Sequence, residues 1–382
     1  MKAITDSLIQ EGHQVKILAM STHKNPVTPQ MIPEPFRKKT GFTTAKVDLK
    51  IRPEKALYHL FTPHSYIVER FFSKDFQQTL VHILQRESFH IIHLESLFLT
   101  PYIPVIRQLS QAPIVLRSHN IEHEIWERYA ANCRNPLKKW YIKVLSKELK
   151  AYELKHLNDY DGILPITTTD EAFYKDHHFR GSTMALPFAL DVEGMLSRPG
   201  GQSDRIHRDA HSLFHLGSMD WLPNQEAMDW FVRKVWPQAR EAFPQLRLYL
   251  AGRNMPEWLF RHNIAGLTVD GEVPNAHDYM RSKNIMVVPL FSGSGLRIKI
   301  LEGMLNKNVV ITTSTGARGI DHTPGKHLLI ANHAGEFLEQ IAYCVNNPGK
   351  AQNIAENGAQ LVKEKYDLQQ SAKKLTTFYN QL

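Results

Sequence analysis

Apolar residues along the chain fall into two alternating patterns. Short continuous runs rich in Val, Ile and Leu recur as VKIL (15–18), IIHL (91–94), PIVLRS (113–118), GILPI (162–166), LFHLG (213–217), LRLYLAG (246–252), IMVVPL (285–290), VVITT (309–313) and HLLIA (327–331). Runs of this length without a polar face predict strands buried on both sides. Between them lie stretches with helical spacing at 2–12, 65–87, 136–158, 223–243, 296–306, 334–346 and 349–365. Strands alternating with helices predict an α/β fold with parallel sheets covered on both faces. The alternation breaks once, at SRPGGQSDRIHRDA (197–210), which is polar and carries a Pro-Gly-Gly turn. This predicts an amino-terminal domain over 1–195, a linker over 196–210 and a carboxy-terminal domain over 211–367.

Composition narrows the picture. A chain of 382 residues is long enough for two domains with separate cores. Two cysteines, Cys133 and Cys344, exclude a disulfide framework. No apolar run is long enough to span a bilayer, and MKAITDSLIQEGH lacks the apolar core of a signal peptide. A cytoplasmic location is therefore expected. The formal net charge is +8, which favours anionic partners. Zinc-finger spacing, an RNA-recognition signature and a basic tail are all missing, so no nucleic-acid partner is expected.

The stretch PLFSGSGLRIKILEGM (289–304) carries the clearest chemistry. A strand leads into a loop with Gly293 and Gly295, and a helix begins near Leu296. The loop lets backbone amides approach an anion, and the helix start adds its free N–H groups and dipole. Arg297 and Lys299 can reach the same anion. Glu302, further into the helix, has the wrong sign for a phosphate and suits a diol such as ribose. The stretch reads as a cradle for a nucleoside diphosphate. A tight connection with solvated charges would look the same in isolation. It is neither a Walker A loop nor a dinucleotide GxGxxG.

Several segments taken together resemble family 4 glycosyltransferases of the GT-B fold, the glycosyl transferases group 1. They are HLGSMDWLPNQEAMDWF (215–231), LRLYLAGR (246–253), VDGEVPNAHDYM (269–280) and PLFSGSGLRIKILEGMLNKNVVITTSTGARGI (289–320). In the first domain FHIIHLESLFLTPYIP (89–104) and PIVLRSHNIEHEIWERYA (113–130) fit as well. The resemblance implies two Rossmann-like domains facing across a cleft, with a last helix near 368–382 returning to the first domain. It implies transfer of a sugar from a nucleoside diphosphate sugar to a saccharide or lipid-linked acceptor, with retention and without a metal or other cofactor. Polysaccharide or glycan biosynthesis is the expected setting.

By the same resemblance Gly293, Ser294, Gly295 and Leu296 would hold the diphosphate, and Arg297 and Lys299 would neutralise it as it leaves. Losing one such donor typically costs ~3–4 kcal/mol of barrier. Glu302 matches the second glutamate of the Glu-x7-Glu motif and would bind ribose. The first position of that motif is Ser294 here, so the donor sugar is left open. Gly217 and Ser218 would approach the donor through the backbone, in a region, GSMDWLPN, where relatives carry Arg and Lys. Val273 would lie beside the base. Asp220 and Trp221 read as structural. A nucleotide-sugar binder that kept the fold and lost turnover is the alternative.

His119 follows PIVLRS at the end of a strand, and the resemblance places it near the transferred sugar. The segment HNIEH (119–123) also matches a zinc-peptidase pattern, which needs both histidines on one helical face and a third ligand. Asp159-Tyr160-Asp161 reads as a turn that ends a helix. Relatives begin with a strand and a Gly-rich loop before a phrase like EGHQVKIL, whereas this chain starts inside the following helix. The first strand and loop are expected to be absent, with reduced stability. Finally, NPLKKWYIKVLSKELKAYELKHL (135–157) is a basic amphipathic helix, able to rest on anionic lipid or to be a solvated face over the core. Peripheral membrane contact is thus one expectation for this segment.

Overall fold

A computed structural model describes residues 2–23, 25–50, 65–133, 135–197, 207–261, 264–292 and 296–382. The chain forms two compact units. One comprises Met1–Pro187 with Ser371–Leu382, and the other Phe188–Gln370. The division falls at Pro187/Phe188, upstream of the 196–210 segment, whose residues 198–206 lie outside the described set.

The first unit holds β1 (Leu18–Thr22), β2 (Thr43–Val47), β3 (Ile92–Leu94), β4 (Ile114–Ser118), β5 (Gly162–Pro165) and β6 (Ser182–Thr183). β1 and β2 pair in parallel as a sheet of their own, and β3-β4-β5-β6 form a second parallel sheet. No described strand joins the two sheets. They share one core, in which Ala45 and Val47 of β2 pack with Leu94, Ile114, Leu116 and Ile163. On the other face Val115 and Leu164 pack with Leu8, Leu375 and Phe378, so the last residues of the chain cover this sheet.

The second unit holds β7 (Ser212–Leu216), β8 (Arg247–Ala251), β9 (Leu267–Gly271), β10 (Ile285–Val288), β11 (Val309–Thr312) and β12 (Leu329–Ile330). They form one parallel sheet in the order β12-β11-β10-β7-β8-β9. β7, β10 and β11 are buried throughout, because helices cover both faces. The order reverses at β7: β8 lies on one side and β10 on the other. In an open parallel sheet this switch point leaves a crevice at the carboxyl ends of the two strands, where ligands bind.

The structure moves several expected boundaries. The first strand begins at Leu18 rather than at Val15, and Val15 packs instead beside the Leu8–Val115 cluster. The 223–243 helix is two helices, Leu222–Lys234 and Trp236–Ala242, broken at Val235. Pro237 explains the break, since it lacks an N–H and its ring crowds the carbonyl four residues earlier. The 65–87 helix divides into Tyr66–Glu69 and Lys74–Arg86, the second started by Ser73 accepting from the Phe76 N–H. The helix Leu368–Tyr379 runs from the second unit into the first. No described helix is long and apolar enough to cross a membrane.

Candidate functional site

The switch point of the second unit gathers the polar residues. Gly217 and Ser218 follow β7, and the helix Ile298–Leu305 begins beyond β10. Gly293, Ser294 and Gly295 lie outside the described residues. The chain before them is fixed: the Thr313 hydroxyl donates to the Leu290 carbonyl and accepts from the Gly316 N–H at 2.9 Å.

Lys299 is the centre of the cluster. Its amine donates to Asn224 Oδ1 at 2.7 Å and lies 3.2 Å from His215 Nε2. His215 is fully buried in β7, and its Nδ1 lies 2.8 Å from the Val287 carbonyl. A carbonyl can only accept, so Nδ1 carries the ring proton and Nε2 is left as an acceptor for Lys299. Burial, and then the Lys299 charge, push His215 well below its ordinary value, so the ring is neutral. Asn224 is buried too, and its amide donates to the Ser218 carbonyl at 2.7 Å.

Burial, with Arg297 adding, pushes the Lys299 amine down to about 7. A neutral amine has two N–H groups, and Asn224 and His215 take both. The ammonium has a third, free for an anion.

Arg297 caps the helix and is buried, 6% exposed. Its guanidinium sits 5.2 Å from the centroid of the Trp221 ring. Burial, followed by the charge of Arg318, lowers its pKa. Trp221, expected to be structural, therefore lies against the Arg297 cation. A buried guanidinium and a half-buried amine thus converge on one crevice.

Little spare room is left where this wall closes, and at Gly252 glycine is required. A Cβ at Gly217 would stand 2.9 Å from Lys299 Nζ and 3.0 Å from Asn224 Nδ2. At Gly252, after β8, the backbone has φ +140°, and a Cβ would stand 1.9 Å from the Gly217 carbonyl. The Ser218 hydroxyl donates to Asp220 at 2.9 Å, and Asn254 donates to both Asp220 oxygens. Asp220 is therefore a structural tie, as expected.

Glu302 lies one turn beyond Lys299, half-buried, and burial pushes its carboxyl up. Its side chain has no hydrogen-bond or ion-pair partner among the described residues, which leaves it able to take a hydroxyl. Leu296 and Val273 pack against the core of the unit. The sequence reading missed His215 and Arg318. A histidine inside the apolar run LFHLG was the available signal for the first; for Arg318 there was none.

In the first unit His119 follows β4 and is exposed. Its Nε2 lies 3.1 Å from Glu95 Oε2. Burial would raise Glu95, but the His119 hydrogen bond, with the neighbouring imidazoles and Arg117 adding, holds it at about 2. A carboxylate only accepts, so Nε2 donates, and in the neutral ring Nδ1 keeps a free lone pair. His93, pushed down to about 4 by burial, is neutral and lies 2.5 Å from the Tyr379 hydroxyl.

The zinc pattern does not assemble. His123 is buried against Glu153 at 2.7 Å, away from His119, and no group of three ligands occurs among the described residues. Asp161 accepts from Arg107 at 2.7 Å and from the Ile114 N–H at 2.6 Å, a tie at the start of β4.

Comparisons with known proteins fit this geometry. Sucrose-phosphate synthase from Thermosynechococcus elongatus is similar over 99% of this chain and 91% of its own, with TM-score 0.61 and 15% identity. HepE from Anabaena, solved with UDP, is similar over 96% of this chain and 100% of its own, with TM-score 0.60 and 12% identity. The fold is that of the GT-B glycosyltransferases. Residues 210–347, within the second unit, match the family of glycosyl transferases group 1. An uncharacterized 44.6 kDa protein of the cps region of Klebsiella pneumoniae is 26% identical over 173 residues, 42% of this chain and 44% of that relative's length.

Proposed function

We propose that the protein is a retaining glycosyltransferase. It takes a sugar from a nucleoside diphosphate sugar and passes it to a saccharide or lipid-linked acceptor in polysaccharide or glycan assembly. The observation that carries this reading is the pair at the switch point of the second unit, the buried Arg297 guanidinium and the half-buried Lys299 amine held by Asn224 and His215.

Each residue has a physical part. Arg297 and the third N–H of Lys299 bind the diphosphate. As the bond from the anomeric carbon to the phosphate oxygen breaks, its electron pair passes to the diphosphate, and these cations hold the growing charge. The acceptor hydroxyl forms the new bond to the anomeric carbon and passes its proton to the departing diphosphate oxygen. Gly217 and Ser218 offer backbone at the same wall, Glu302 takes the ribose hydroxyls, and Val273 and Leu296 border the nucleotide. Gly293, Ser294 and Gly295 complete the diphosphate cradle in this reading. His119, fixed by Glu95, offers Nδ1 to a sugar or acceptor hydroxyl. No metal and no other cofactor is assigned a role. The work is placed in the cytoplasm.

A binder without turnover is the second reading. Ser294, eight residues before Glu302 where relatives carry a carboxylate, is what favours it. A calorimetric screen of UDP-, GDP- and ADP-sugars tests the main proposal. One of them is expected to bind, and Lys299→Ala to lose about a hundredfold or more in affinity, on the scale of one strong charge-assisted donor. If no nucleotide sugar binds the folded protein, the proposal fails. Slow hydrolysis of the bound donor separates an enzyme from a binder.

A further inference from the structure

The chemistry above leaves the helix Pro136–Lys155 unused. Its inner face is core: Ile142, Leu145, Leu149 and Tyr152 are buried with Tyr66, Ile67, Val68 and Leu97. Its outer face has a different composition. Leu137, Trp140, Lys143, Lys147 and Lys150 are all exposed. Spaced three or four apart, they lie along one side of the helix, over about 20 Å. Leu137 is 80% exposed and Trp140 61%. No residue of this stripe is acidic, because Glu148 is half-buried and Glu153 is buried. Beside its start, Tyr129 of the helix Glu122–Asn132 is exposed, with Lys138 Nζ 5.4 Å from its ring centroid.

A face needed only for solubility has no use for an outward Leu and Trp in its first turn and a half. A nucleic acid would be held by the lysines and stack on the indole, but it gives Leu137 no role. A bilayer surface uses every member. The indole and the leucine enter the boundary between headgroups and acyl chains, and the ammonium groups on their flexible stems reach the lipid phosphates.

We propose that this stripe docks the first unit on an anionic phospholipid surface. The idea rests on the transferase reading for its purpose, since a lipid-linked acceptor lies in that surface. The contact itself is measured without turnover.

Flotation of the full chain with vesicles is the test. The protein should float with phosphatidylcholine vesicles containing about one third phosphatidylglycerol and stay behind with phosphatidylcholine alone. Salt at about 0.5 M should release much of it. Lys143→Gln with Lys147→Gln and Lys150→Gln should lower partitioning roughly a hundredfold, at about fivefold per lysine. Leu137→Ala with Trp140→Ala should lower it about tenfold and make the remainder fully salt-sensitive. All of these residues are exposed, so unchanged melting temperatures are expected. Undiminished flotation of either variant overturns the proposal, as does absence of flotation with anionic vesicles. Retardation of a single-stranded RNA without vesicle binding would move the stripe to a different polyanion and overturn it too. Nucleotide-sugar calorimetry on the same samples keeps the two claims apart. Normal donor binding without flotation removes the membrane contact alone, and flotation without donor binding removes the transferase reading alone.

Discussion

The two units are built from the same parallel strands and connecting helices, yet one sheet is continuous and the other is broken. In the second unit six strands pair without a gap, and its three central strands are wholly buried. In the first unit β1 and β2 stand apart from β3–β6, and every residue of β1 is partly exposed. Two strands alone are marginal in water, so β1 and β2 depend on the shared core and on side-chain ties. The difference teaches where each kind of polar group can be kept. A continuous sheet can hold a buried guanidinium and a half-buried amine at its switch point, since the frame around them does not need their help. The broken sheet keeps its candidate group, His119, exposed at the surface, and its buried polar pair does structural work instead.

That pair is His123 and Glu153, 2% and 3% exposed, joining the helices Glu122–Asn132 and Pro136–Lys155. Glu153 also faces the N–H groups of Glu122 and His123, at 3.3 and 3.4 Å. Glu153→Ala leaves these donors and the imidazole buried without a partner. A loss of about 3–5 kcal/mol is expected, the largest effect predicted for any single change in this protein. It should fall on one unit only. Amide exchange across β3–β6 should quicken, while β7–β12 keep their protection. Equal loss of protection in both units would break the comparison, because the chain would then open as one body.

Burial also decided what was legible in the sequence. β4, β5, β7, β10 and β11 could be read because burial on both faces makes them unbroken apolar runs. β2 (TTAKV) and β9 (LTVDG) could not, because they lie at sheet edges, where polar residues alternate with apolar ones. In the site, Arg297 and Lys299 were legible from a local pattern of glycine loop, helix start and cations. His215 and Asn224 were a different matter. They lie 84 and 75 residues from Lys299 in the sequence, and only the parallel sheet order brings them to its amine. The pairing of Glu95 with His119 was hidden in the same way, since it needs β3 and β4 side by side.

The two units should also differ in their response to pH. Lys299 has an amine at about 7 in the free protein, lowered first by burial and then by Arg297. A bound diphosphate favours the ammonium and raises that value. Binding above about pH 7 must therefore take up a proton, and affinity must fall as pH rises, by at most about tenfold per unit. Below about pH 7 the amine is already charged and the dependence fades. Calorimetry with a nucleotide sugar at about pH 8, in buffers of different ionisation heat, reads the proton directly. Lys299→Arg keeps the charge fixed and should show no uptake. Uptake that persists in that variant would assign the proton to another group.

The smallest effect tests how the second unit aims its charge. The Arg297 guanidinium lies over the Trp221 ring, which fixes its plane without neutralising it. Stacking at a partly exposed site is worth about 0.5–1 kcal/mol. Trp221→Ala should therefore weaken nucleotide-sugar binding about three- to fivefold, with little change in melting temperature. Trp221→Phe should recover part of the loss, because a smaller ring still offers a face. Rescue by Phe is the informative result, since a role in packing alone would track side-chain volume and register in stability before affinity. If both variants bind as the parent does, Arg297 is aimed by its place at the helix start, and the indole is only its neighbour.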